Sequence, residues 1–371
     1  MVPLIRCCNF LHLLIVYQVS MRKLLIVGMV LALLTASQES VWAQFNTKGI
    51  KSGNRRIAGY RGTKSKFGKE KIYNSVGVSL NLLNYYGDLA PSPSSFSTDL
   101  AFTKPGFGLS FTHRFGPRYS LMGQYLYGSV KGADSESADP SDLSNGIFRY
   151  QRNLSFQNQI HELSVVGIFD LFENQQTYMS RVKWTPYAYI GLAVYFHNPK
   201  AIAPATDLQG NPLPEAGNLV DLQPLGTEGQ NSNLAATDVN YGIKPYSLVQ
   251  FAIPFGLGAR FRLTDVLDLS ADVGFRYTFT DYLDDVSANY VDLTKLNSPL
   301  AQAMSYRTNE LPGYPKNPQP SGIPGVNVES GYGAEHPENK RGGKKDNDIY
   351  MVTSIRLTYI LKAHFHQAKF R

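Results

Sequence analysis

Cysteine is almost missing from this sequence. The only two, Cys7 and Cys8, stand side by side near the N-terminus. Structural disulfides and thiolate metal sites are therefore excluded from the rest of the chain. Tryptophan is nearly as scarce, with two residues, although 23 Tyr and 20 Phe make aromatics common. Long apolar runs are lacking too. Mean hydropathy is −0.22, and Leu24 to Ala36 is the one stretch that approaches the length of a helical span. A helical bundle in a membrane is thereby excluded.

That single stretch reads as an export signal. Met21-Arg22-Lys23 gives a positive start, Leu24 to Ala36 an apolar stem, and Val41-Trp42-Ala43 a small-residue cleavage site before Gln44. The rival is a retained anchor helix, which the short stem and the Val-x-Ala ending disfavour. Residues 1–20 read as an upstream extension, with Met21 as a second candidate start. The expected layout is residues 1–43 as extension plus signal (21–43), 44–71 as a basic arm, 72–362 as the folded body and 363–371 as a tail.

Charge is unevenly spread. The net +7 is concentrated in residues 44–71, which hold nine Lys/Arg and one Glu, whereas residues 72–371 sum to −3. A basic arm on a mildly acidic body argues against a nucleic-acid binder.

The body is written in period two. From 251 to 263, Phe251, Ile253, Phe255, Leu257, Ala259, Phe261 and Leu263 alternate with Ala252, Pro254, Gly256, Gly258, Arg260 and Arg262. After Thr264-Asp265, Leu267, Leu269, Ala271, Val273, Phe275 and Tyr277 alternate with Asp268, Ser270, Asp272, Gly274 and Arg276. Alternation of this kind belongs to strands. It recurs around residues 75–82, 107–115, 162–171, 188–196 and 349–362. Residues 119–131 look like a further strand, but both faces are mixed and neither can be assigned. That makes eight strands. The connections between them sort by length, with brief turns at 116–118 and 264–266, an intermediate one at 172–183, and long loops at 84–104, 132–158, 198–246 and 281–347.

Apolar stripes on one face and ionisable stripes on the other suit a sheet closed in lipid, where every backbone group must be paired within the protein. The expected fold is all-β: a closed antiparallel transmembrane β-barrel of about eight strands, with short periplasmic turns and long extracellular loops, in the outer membrane. Arg114, Glu162, Asp170, Arg260, Arg262, Asp268, Asp272, Arg276, Arg356 and Lys362 then face inward and pair as a polar plug, since side chains alone roughly fill a barrel of this size. The alternative is a soluble β-sandwich whose apolar faces pack together. The export signal, the even strand count and the sorted loops weigh against it.

Several segments carry a family resemblance: FHNPKA (196–201), DLQPLGTEGQ (221–230), YSLVQFAIPFGLGARFRLTDVLDLS (246–270), FTDYLDDVSANYVD (279–292) and RNLSF (152–156). On these residues the chain, from about 72 to 362, resembles the outer-membrane barrels of the Bacteroidota that include PorG of the type IX secretion system. The resemblance implies a non-enzymatic anchor for a periplasmic ring of PorK- and PorN-like proteins. The basic arm and the Pro/Gly-rich stretch 312–343 depart from the family's core pattern.

Other features carry less. His161 and Glu162 are neighbours on a strand and point to opposite faces, which rules out an acid–base pair and leaves a lumen Glu and an interface His. Asp281, Asp284, Asp285 and Asp292 lack the order of a calcium loop and read as a solvated loop start. DLQPLGTEGQ reads as loop-packing residues folded over the barrel mouth. The arm is a disordered tail, a tether through Arg55, Arg56, Arg61 and Lys64 to an acidic ring protein, or a binder of anionic headgroups. Residues 312–343 read as a mobile extracellular segment. No catalytic constellation, cofactor, metal or small-molecule substrate is implied. A solute channel and a loop-mediated adhesin or receptor stay open as alternatives to the anchor.

Overall fold

The computed structural model describes residues 71–90, 102–174, 181–343 and 347–361. The signal segment, the arm with Arg55, Arg56, Arg61 and Lys64, and the tail with Lys362 lie outside them.

In chain order the strands are β1 (Tyr73–Tyr86), β2 (Lys104–Arg114), β3 (Tyr119–Ala133), β4 (Ser155–Asp170), β5 (Trp184–Ile202), the short β6 (Leu219–Asp221), β7 (Val249–Arg262), β8 (Leu267–Thr278), the short β9 (Pro318–Pro320) and β10 (Asn327–Glu329), and β11 (Ile349–Ile360). The eight long ones pair antiparallel in sequence order, with β5 beside β7 and β8 beside β11. β11 then returns to β1, from Ser75 opposite Ile360 to Tyr86 opposite Ile349. The ring is closed, so the barrel wall exposes no unpaired edge. The β5–β7 ladder lapses between Ile190–Phe255 and Ala193–Ala252. Pro254 lies in that gap and has no N–H to contribute.

Side-chain alternation decides what meets lipid. Leu192 is 71% exposed and its neighbour Ala193 is 2% exposed. Leu80, Leu163, Ile190, Leu257 and Ile355 project outward in the same way. Aromatic rings border this band. Tyr119 and Phe169 (5.5 Å) and Phe172 and Trp184 (5.0 Å) meet near the short turns, and Tyr127, His161 and Phe196 form a row toward the long loops. Such girdles mark the two edges of a hydrocarbon layer.

The structure orients β3. Tyr119, Leu121, Tyr125 and Tyr127 face out, while Met122, Leu126 and Val130 are buried inside. Its inner face is mixed, with Ser120 and Gln124 beside Met122, Leu126 and Val130, because the barrel interior is divided. The half near the short turns is charged. The half near the loops is an apolar core of Leu83, Leu126, Phe156, Ile160, Tyr195 and Val352, and it continues into the loop residues Leu89, Leu154, Leu222, Leu283 and Met304.

Candidate functional site

Two polar assemblies stand out, one inside the barrel and one in the loops above it. Inside, inward-facing positions of distant strands bring the charged residues together. Arg114 on β2 and Arg260 on β7 both reach Asp170 Oδ2 on β4, at 2.7 and 3.0 Å. Arg114 also donates to the Gly116 and Pro117 carbonyls of the adjacent turn. Arg276 on β8 meets Glu162 on β4 at 3.2 Å, and the Tyr350 hydroxyl donates to the same carboxylate oxygen at 2.8 Å. Arg356 on β11 lies 3.5 Å from Asp272 and donates to Gln124 at 3.1 Å. Tyr187 and Tyr189 donate to the two oxygens of Asp272. Gly258 and Gly274 make room for these two rings, because a Cβ at either position would collide with them.

Two details differ from the sequence expectation. Arg262 lines the lumen floor beside Arg260 and Asp268 but makes no ion pair with the lumen acids. It sits at the strand end, where Asp265 three residues on is a local partner, and its second contact is the Arg181 carbonyl. The partner of Asp268 is Arg181, which the alternating pattern did not reveal because it precedes β5 in a turn. Arg181 also binds the Thr264 and Asp265 carbonyls, so it ties two turns to the barrel floor. The residual spaces between these groups are cavities of about 30 and about 10 Å³. Room for one water needs roughly 10–15 Å³. The charged side chains thus leave spaces here that hold no more than a few water molecules.

His161 and Glu162 divide as adjacent strand residues must. Glu162 is buried in the lumen, and His161 lies outside against Tyr125, with 2.9 Å between Nδ1 and the hydroxyl.

The described parts of the four long loops fold together as a cap. Glu228, in DLQPLGTEGQ, is fully buried and accepts hydrogen bonds from the Ser287 and Ala288 amides, Arg341 and the Tyr282 hydroxyl, at 2.9 to 3.2 Å. Burial raises its pKa, with Arg341 offsetting part of the rise. Asp285 adopts a left-handed φ of 67° and accepts from Tyr246 at 2.7 Å and from Thr227. Asp tolerates that conformation better than most residues. Arg152 of the second loop binds Asp134 at 2.8 Å and reaches the Arg341 and Asp88 carbonyls of two other loops.

The acidic cluster is therefore not a solvated loop start. Asp284 and Asp285 are buried, and Asp292 caps a short turn of helix by accepting from the Thr294 amide. No group of three or more His, Cys, Asp or Glu among the described residues is arranged to hold a metal ion. Nor is the Pro/Gly-rich stretch a loose segment. Val328 and Tyr332 pack against Tyr290, Leu293 and Tyr306, and the Tyr332 hydroxyl donates to Phe148 of the second loop. Its glycines allow tight turns, several with positive φ, that bring these side chains inward.

A closed antiparallel barrel of even strand number, with an apolar outer band, short turns at one end and long loops at the other, is the architecture that crosses outer membranes. The protein is an outer-membrane β-barrel, with the turns on the periplasmic side and the cap outside.

A family model described as Domain of unknown function (DUF6089) matches residues 64–211. No curated protein matches. Among solved structures, Neisserial surface protein A is similar at 8% identity and a TM-score of 0.32, covering 77% of this chain and 96% of that one. OprG of Pseudomonas aeruginosa is similar at 11% identity and 0.32, covering 79% and 97%. A major outer membrane protein of Thermus thermophilus is similar at 11% identity and 0.33, covering 78% and 99%.

Proposed function

We propose that this protein is a non-conducting, non-enzymatic anchor, which fixes a periplasmic assembly to the outer membrane. The ion-paired lumen carries this reading. A conduit would need a continuous aqueous path, and here arginine–carboxylate pairs occupy the lower lumen while an apolar core and the cap close the upper end. Charge polarity supports it further. The four connections at the loop end (87–103, 134–154, 203–248 and 279–348) hold 21 acidic against 10 basic side chains, whereas the arm before β1 holds nine basic and one acidic. β1 begins at the periplasmic end, and an acidic partner surface on that side would be complementary to the basic residues that precede it in the sequence.

The resemblance to PorG-like barrels makes a ring of PorK- and PorN-like proteins the expected partner, and type IX secretion the expected setting. The test is affinity capture from cross-linked envelopes, comparing the full chain with a variant whose Arg55, Arg56, Arg61 and Lys64 are replaced by Ser. Recovery of a periplasmic lipoprotein or ring subunit that weakens in the variant is the expected result. Recovery of no periplasmic protein by either would remove the anchoring role.

A second reading, a surface receptor acting through the cap, has the cap's compact packing as its support. Cell-surface binding that survives arm substitution and is lost on altering exposed cap residues such as Tyr241 would favour it.

A further inference from the structure

Near the end of β1, the Tyr85 side chain points at the root of the fourth loop (279–348). Its hydroxyl oxygen lies 2.7 Å from Asp284 Oδ2 and 2.7 Å from Asp348 Oδ1. All three side chains are buried. The second oxygen of each acid is already engaged by backbone: Asp284 Oδ1 accepts from the Val286 amide and Asp348 Oδ2 from the Leu283 amide.

Counting hydrogens decides the protonation state. A phenol carries one hydrogen and can donate it to one carboxylate. Were both acids ionised, the other contact would hold two oxygens at hydrogen-bond distance with no hydrogen between them. In a buried site that repulsion is strong. A second hydrogen is required, and it must sit on Asp284 or Asp348, which then donates to the phenol oxygen.

The surroundings act in the same direction. Burial, then the charges of Asp348 and Asp88, hold the Asp284 carboxyl well above the ordinary carboxylate range. Burial first, with Asp281 and Asp88 adding to it, does the same for Asp348. Asp88 faces the pair from the first loop and Asp281 from the fourth, while Phe156 of β4 packs edge-on against the Tyr85 ring. The guanidinium groups in the described cap pair elsewhere: Arg149 and Arg152 with Asp134, Arg307 with Glu310, and Arg341 with Glu228 and Asp285. Lys344, Lys345 and Asp346 lie outside the described residues.

We propose that Asp284, Tyr85 and Asp348 share one trapped proton and form a pH-operated latch that holds both ends of the fourth loop to the barrel rim. A carboxyl whose folded pKa stands above its unfolded value contributes stability that is fully present below the unfolded value and is lost as pH rises through the folded one. The latch is closed at low pH and loosens toward alkaline pH. Asparagine supplies the missing hydrogen without ionising, so it mimics the closed form.

The test is hydrogen exchange of the full-length protein in detergent from about pH 5 to about pH 10, corrected for intrinsic rates. Protection across 279–348 is expected to fall by up to about tenfold per pH unit as the proton leaves, with the barrel strands unchanged. Asp348→Asn or Asp284→Asn is expected to keep the loop protected and flatten the profile. A flat wild-type profile, or an Asn variant as steep as wild type, would overturn the latch. Should neither variant fold, infrared spectra of the wild type decide. A protonated-carboxyl stretch that persists at neutral pH and bleaches on alkalinisation supports the shared proton, and absence of that band overturns it.

Discussion

Arg276 and Glu162 meet at 3.2 Å inside the barrel, from strands 114 residues apart in the sequence. Both are almost fully buried, and the Tyr350 hydroxyl donates to the same carboxylate oxygen. Removing one member of such a pair leaves an unpaired charge in a medium of low polarity, at a cost of about 3–5 kcal/mol. Arg276→Ala is therefore expected to lower the stability of the lipid-reconstituted barrel by that amount in urea titrations. The double replacement Arg276→Met with Glu162→Leu is expected to cost much less, because no stranded charge remains.

Gly274 faces the Tyr189 hydroxyl across the lumen with no room for a Cβ. Gly274→Ala should destabilise by about 1–3 kcal/mol through overpacking. Tyr189→Phe removes the nearest atom of the collision, so the double variant is expected to recover part of the loss. Strict additivity in the cycle would show that the two sites do not touch.

Leu192 and Ala193 are adjacent on β5 and face opposite media. Leu192→Arg puts a guanidinium into the hydrocarbon band and should cost about 2–4 kcal/mol near the midplane. Leu192→Phe should be nearly neutral. Equal tolerance of both in heat-modifiable mobility would contradict the assigned facing.

Arg341 ties Glu228 of the third long loop to Asp285 of the fourth. Arg341→Ala should leave Glu228 buried without its counter-ion, and the cap is expected to become protease-sensitive between 203 and 343 while the barrel stays resistant. Cleavage of wild type and variant at the same rate would show that the knot does not hold the cap.

The barrel was legible in the sequence because its physics is local. Period-two alternation marks a strand wherever its two faces meet different media, and the eight long strands fall where the pattern places them. β3 could not be oriented for the same reason. Leu126 and Val130 face the apolar core and Met122 a smaller apolar cluster, while Ser120 and Gln124 face the charged half, so the inner face carries no uniform character. Arg262 followed the pattern but sits at a strand end, where it pairs with Asp265 three residues on. Arg181 had no period to betray it, though an inward Asp268 without an assigned counter-ion was a usable signal.

Of the cap, only the packing of DLQPLGTEGQ over the barrel mouth was legible, because its other contacts are long-range. Glu228 and Arg341 are 113 residues apart, and Tyr332 and Phe148 are 184 apart. Proline and glycine between 312 and 343 suggested looseness, whereas they shape turns that deliver Val328 and Tyr332 to a core supplied by distant segments. The burial of Asp284 and Asp285 followed from the same assembly.

Planar-bilayer recording of the purified full-length protein tests the central claim most directly. A barrel whose lumen is occupied by its own ion pairs and sealed by its loops is expected to insert without steady conductance above the lipid baseline, across a range of salt concentrations. Stable ohmic openings that scale with salt would mean that the interior is an aqueous path, and the anchor account would be wrong.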